Sequence, residues 1–185
     1  MKVTITDASP AKDGDAQVSV QVTQNGNAAQ LPSGATLSCD KVALNYANAS
    51  YAVCVREVAA GSNYTFAYSA NGKASHFNVQ AALLPVFIQP MPGSSVARAS
   101  NVSVVYVAGT GSGVTVAASQ GSNTVGGKSY EQDSGVFTGL NVSSLGKGAG
   151  TMTMTRRQES DVSLSGFHNV HSVYYITVAM AVTWS

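Results

Sequence analysis

Charge is what this sequence has least of. Ten Lys and Arg and nine Asp and Glu make up 10% of 185 residues, with a net charge of +1, where soluble domains carry about 25%. A basic footprint for nucleic acid or an anionic membrane is therefore excluded. The only adjacent basic pair, Arg156-Arg157, is followed at once by Glu159 and Asp161. Long apolar runs are missing too. The longest, Val173–Val182, has about half the length of a membrane span, and its alternation marks a terminal strand. Helical periodicity is almost absent, which removes every helix-borne catalytic motif. No leader precedes Val3-Thr4-Ile5, so an export signal is expected to have been removed.

What is present is alternation with a period of two. Val18, Val20 and Val22 share one face of Ala16–Gln24, with Ser19, Gln21 and Thr23 on the other. Tyr64, Phe66 and Tyr68 do the same in Asn63–Ala70, which turns at Asn71-Gly72, a strong hairpin signal. Phe77 and Val79 lie on the returning strand. Later strands are expected at Asn101–Ala108, Gly113–Ser119, Gly135–Thr138, Thr151–Arg157 and Ser172–Thr183. Pro85, Pro90 and Pro92 surround Val86-Phe87-Ile88 and mark a linker entering an edge strand. At 185 residues the chain is long for one sandwich of about 100. The reading is all-β: two tandem antiparallel β-sandwiches, 1–82 and 83–185, which the resemblance described below makes immunoglobulin-like.

Cysteine occurs twice. If Thr36–Leu44 and Tyr51–Val58 form a hairpin bending at Tyr46–Asn48, Cys39 faces Cys54 within disulfide range. A bridge would add roughly 3 kcal/mol in the chain-entropy account and would point to an oxidising compartment.

The first half resembles a short bacterial immunoglobulin-like module of the kind found in surface lipoproteins. The resemblance lies in Val18-Ser-Val-Gln-Val22, Leu37, Tyr51, Ala60-Gly-Ser-Asn-Tyr-Thr-Phe66 and the Asn71-Gly72 hairpin. The second half is similar to a fibronectin-type-III module through Pro90-Met-Pro-Gly93, Val102-Ser-Val-Val-Tyr106, Asp133-Ser-Gly-Val-Phe-Thr138 and Thr151-Met-Thr-Met-Thr-Arg156. It departs at Tyr106, where such modules carry a core tryptophan; the single one here is Trp184. The resemblance implies the fold and an exported setting, and brings no catalytic residue with it.

Chemical motifs are thin. Gly126-Gly127-Lys128-Ser129 lacks the earlier glycine of a phosphate loop and no helix follows it, so it reads as a hairpin loop. Gly109-Thr-Gly-Ser-Gly113 lacks the spacing of a nucleophile elbow. His168 and His171, near Glu159 and Asp161, are weak zinc or copper candidates. Asp13-Gly-Asp15 and the pair Glu131 and Asp133 are weak calcium candidates that read better as turns. The nine acids lie in polar loops or strand ends, which disfavours a glycosidase pair.

Tyr64, Tyr68, Tyr106 and Tyr175 are expected in the core. Tyr46, Tyr51 and Tyr130 are candidates for a ligand platform, and His168 and His171 for contacts from the loop Gln158–His171. The expected function is a non-catalytic extracellular or cell-surface module acting as spacer, adhesion or accessory domain, with no cofactor and with a protein or glycan partner. The alternatives are a glycan- or peptide-binding protein using an interdomain groove or loops, an assembly subunit, and a loop-based hydrolase.

Overall fold

The computed structural model describes residues 1–7, 15–127 and 129–185. Among them there is no helix. The chain divides into two compact units, Met1–Ala81 with Gln158–Tyr175 and Ala82–Arg157 with Ile176–Ser185. The first break falls beside the expected boundary at 82/83. The expectation that 83–185 forms one continuous domain is corrected: Gln158–Tyr175 returns to the first unit.

In the first unit, β1 (Lys2–Asp7) pairs antiparallel with β2 (Asp15–Gln21), placing Val3 opposite Val20 and Ile5 opposite Val18. All four are completely buried, because the pleat sends alternate side chains to one face. Each contributes about 1.5–3 kcal/mol of apolar burial. The short strands β3 (Thr23–Gln24) and β4 (Asn27–Ala28) pair around Asn25-Gly26, both at positive φ.

There follow β5 (Thr36–Cys39), β6 (Val42–Ala43), β7 (Asn45–Ala47), β8 (Ser50–Arg56), β9 (Asn63–Ala70) and β10 (Lys73–Gln80). One sheet contains β1-β2-β8-β7 and the other runs β10-β9-β5-β6. The second sheet buries Leu37, Cys39, Tyr64, Phe66, Phe77 and Val79, with Phe66 and Phe77 stacked at 4.7 Å between ring centroids.

The second unit begins with β11 (Phe87–Gln89), an edge strand flanked by Pro85 and Pro90 and paired only with β13 among the described residues. Its other strands are β12 (Ser95–Val96), β13 (Val102–Tyr106), β14 (Gly113–Gln120), β15 (Asn123–Gly126) and β16 (Val136–Leu140). The order β11-β13-β16 makes one sheet.

Two long strands, β17 (Gly148–Val162) and β18 (Val170–Trp184), contribute residues to both units. In the second unit they extend β15-β14 into a sheet, with β12 parallel to β18. This core gathers Val104, Val116, Leu145, Met152, Met154 and Trp184. In the first unit, β18 lies beside β1.

Three local expectations change. No hairpin joins Thr36–Leu44 to Tyr51–Val58. The chain makes tight turns at Asp40-Lys41 and at Asn48-Ala49, each with both residues at positive φ, so β8 pairs with β2 and β7 while β5 pairs with β9 and β6. Cys39 is buried on β5, Cys54 is exposed on β8 opposite Gln17, and both are free thiols. Gln158–His171 is mostly strand, leaving 163–169 as its loop. Lastly, Tyr174 rather than Tyr175 enters the core, at 1% exposure, because β18 runs one residue out of the expected phase.

Candidate functional site

The loop 163–169 joins β17 to β18 and lies between two depressions in the surface of the first unit. Its Phe167 ring meets Tyr68 of β9 edge-on, with centroids 5.1 Å apart and planes at 74°. Tyr68 is buried and Phe167 half-buried, so packing against a rigid strand fixes the outer ring. Gly166, at φ +91°, lets the chain turn over Tyr68. Phe167 N–H then donates to the Leu164 carbonyl at 3.0 Å, closing the turn.

On one side of this tip lies a depression of about 500 Å³, whose far wall is Thr23, Gln24, Gln30 and Leu31. The β3–β4 hairpin builds that wall, with Ala29 N–H bonded to the Val22 carbonyl at 2.9 Å. Leu31 N–H is fixed by the Tyr51 hydroxyl at 2.8 Å. On the other side a depression of about 430 Å³ is lined by 161–165. Phe167, His168 and Asn169 belong to both.

The residues singled out from sequence separate by role. His168 sits at this tip and is exposed. His171 is held from it, with Nδ1 2.9 Å from Asp161 Oδ1 and Nε2 3.8 Å from Glu159 Oε1. Tyr46 lies 4.9 Å from Tyr51, centroid to centroid. Tyr130 in the second unit carries the Arg157 guanidinium 4.6 Å over its ring, so that face is occupied. Glu131 is tied through its backbone to Val114 by two 2.8 Å bonds. Among the described residues no three His, Cys, Asp or Glu side chains converge as a metal set. Asp13 and Gly14 of the first calcium candidate, and Lys128 of the glycine-lysine-serine run, lie outside the described residues.

A buried ion pair that sequence reading missed organises the second unit. Arg156 is fully buried and Asp133 nearly so, with Nε 2.7 Å from Oδ2. That contact is off the N–H axis and acts as a Coulombic one. The directed bonds run from the terminal nitrogens to the carbonyls of Leu83 at 2.5 Å and Val107 at 2.6 Å and to Asp133 Oδ1 at 3.3 Å. Gly111 N–H adds a 3.2 Å bond to Asp133 Oδ2.

The glycines of Gly109-Thr-Gly-Ser-Gly113 have a packing role. A Cβ at Gly109 would lie 2.6 Å from Arg156 Cζ, and one at Gly111 would lie 2.8 Å from its Cγ. Nearby, burial above all raises the pKa of Tyr106, with the Asp133 charge adding to it. The available signal was the charge itself: an arginine on the inward phase of Thr151–Arg157 needs a buried acid.

Two units, helix-free among the described residues and each built from packed β-sheets, define an all-β protein of tandem sandwiches. No protein-family model and no curated protein matches the sequence. Among solved structures, a chimeric titin Z1Z2 tandem aligns over 100% of this chain and 95% of its own, at 12% identity and TM-score 0.27. Tandem Ig repeats of Dlar align over 94% and 95%, at 12% identity and TM-score 0.30. DIP-gamma IG1+IG2 aligns over 100% and 94%, at 9% identity and TM-score 0.26. At these identities and TM-scores the alignments carry no argument about fold, family or function.

Proposed function

We propose that this chain is a non-catalytic recognition module of an extracellular or cell-surface protein, meeting its partner through loop 163–169 of the first unit. The observation that supports this is the placement of Phe167-His168-Asn169 as a ridge between two depressions. A rigid sandwich holding a short loop is a common way to present a binding surface. Two pairs of ionisable groups have structural partners: Arg156 with Asp133, and His171 with Asp161. A neutral polar outer surface suits an exported setting, although the free thiols lend that setting no support.

The test immobilises the whole chain against a panel of cell-surface and matrix proteins and glycans. A second form carries Gly/Ser in place of 163–169 and is checked for folding by circular dichroism. Binding that disappears with the loop supports the reading. Hydrolysis in a broad substrate screen that vanishes in both His168→Ala and His171→Ala would overturn it, as would large assemblies in light scattering with no loop-dependent binding.

A further inference from the structure

We infer that the depression of about 500 Å³ in the first unit is a subsite for a neutral, polyhydroxylated ligand, an oligosaccharide; this rests on the recognition role proposed for loop 163–169. Its volume falls within the range of about 300–1,000 Å³ found for small-ligand sites.

The lining decides the chemistry. Gln24, Gln30 and Asn169 offer amides, Thr23 a hydroxyl and His168 an imidazole, while among the described residues no Asp, Glu, Lys or Arg side chain contributes. The one formal charge among the described lining residues, the Met1 α-ammonium, donates to the Asn169 carbonyl at 2.7 Å. A phosphate or carboxylate ligand would call for cations here, and an amine for carboxylates. Amides carry donors and acceptors together, which is what a sugar hydroxyl needs, being both at once.

The same amides are uncommitted. Gln24 and Gln30 have no side-chain hydrogen bond among the described residues, and neither does the Asn169 amide group. Elsewhere glutamine is used structurally: Gln120 bonds Gly146 N–H at 2.9 Å and the Lys147 carbonyl at 2.8 Å, and Gln158 bonds Gln80 at 3.2 Å.

The fourth ingredient is a flat apolar surface for the C–H face of a pyranose. Phe167 supplies it, already oriented by its edge contact with Tyr68, so little rotamer freedom is lost when a ring stacks on it. An apolar ligand would leave the amides facing it unpaired.

The experiment is a glycan array with neutral, sialylated and sulfated members, probed with the whole chain. The best neutral glycan is then titrated by ligand-observed NMR against wild type, Phe167→Ala, Gln30→Ala and a Lys147→Ala control. We expect neutral glycans to bind with an affinity unmoved between about 0.1 and 1 M salt. Phe167→Ala and Gln30→Ala should each weaken it about tenfold, with Lys147→Ala, an exposed position of the second unit, unchanged. Gln30 is exposed, so its variant separates lost binding from lost folding. Binding confined to charged glycans, no glycan binding at all, or wild-type affinity in both site variants would overturn the inference. Loop-dependent binding of a protein or peptide with no glycan binding would sink this inference while leaving the recognition role intact.

Discussion

The Trp184 indole lies directly over the backbone of Gly150, and its Nε1–H donates to the Ser119 carbonyl at 3.1 Å on the strand beyond. Glycine is the residue that leaves room for this. A Cβ at position 150 would overlap the indole nitrogen and stand 2.5 Å from that carbonyl. Gly150→Ala should therefore displace the ring and cost about 1–3 kcal/mol. Trp184 is the only tryptophan, so its fluorescence reports the second unit alone, and chemical denaturation followed at that wavelength measures the loss. An unchanged midpoint would contradict the packing described.

Asp133→Ala should destabilise the second unit by about 3–5 kcal/mol, since it strands a buried guanidinium. The same fluorescence transition reads it. Gly109→Ala should destabilise as well, because the new methyl meets the Arg156 side chain and the guanidinium has carbonyls on its other sides.

The two thiols should react differently. Near neutral pH a thiol reagent should label one cysteine per native molecule, exposed Cys54, and two after denaturation. Two protected thiols recoverable only with reductant would instead restore the disulfide. Burial, with the Asp40 charge second, pushes the Cys39 pKa from 9.0 up to about 12. The unfolded chain thus releases this proton at lower pH than the folded one. Cys39 contributes stability that is fully present below about pH 9 and is lost as pH rises toward about 12. Melting of the first unit followed by circular dichroism should fall through that window and fall less in Cys39→Ala.

A fragment ending at residue 82 should fail to fold, because the first unit draws on Gln158–Tyr175 for the second neighbour of β1, on the edge away from β2, and for Tyr174, which packs 5.9 Å from Tyr64. Joining 158–175 to that fragment through a flexible linker should restore a cooperative transition. A folded 1–82 fragment would show the returning segment to be dispensable.

Sequence alternation revealed β2, β9 and β10 and their inward faces with little error, and Asn71-Gly72 marked its turn. Each of these depends on neighbours a few residues apart. The turns at Asp40-Lys41 and Asn48-Ala49 were hidden because neither pair includes the glycine that usually announces consecutive positive φ values. Missing them made one hairpin out of two and brought Cys39 opposite Cys54. The return of 158–175 was equally hidden: its polar residues read as a loop, and nothing in a period of two says which core receives each half of β17 and β18. For the candidate site, the loop was visible as a polar stretch holding His168. Its aromatic partner Tyr68 and the wall from Gln24 to Leu31 come from distant sequence, and only tertiary structure brings them together.

The Arg156 cluster has a consequence for how this sequence can drift over generations. Positions 109, 111, 133 and 156 form a single packing solution, so a lone change at any of them meets a clash or an orphaned charge. Replacing Arg156 and Asp133 together by apolar residues of similar volume would remove both demands at once. Relatives that share the fold should therefore divide into two kinds at these sites, those keeping arginine, aspartate and both glycines, and those that have given up all four.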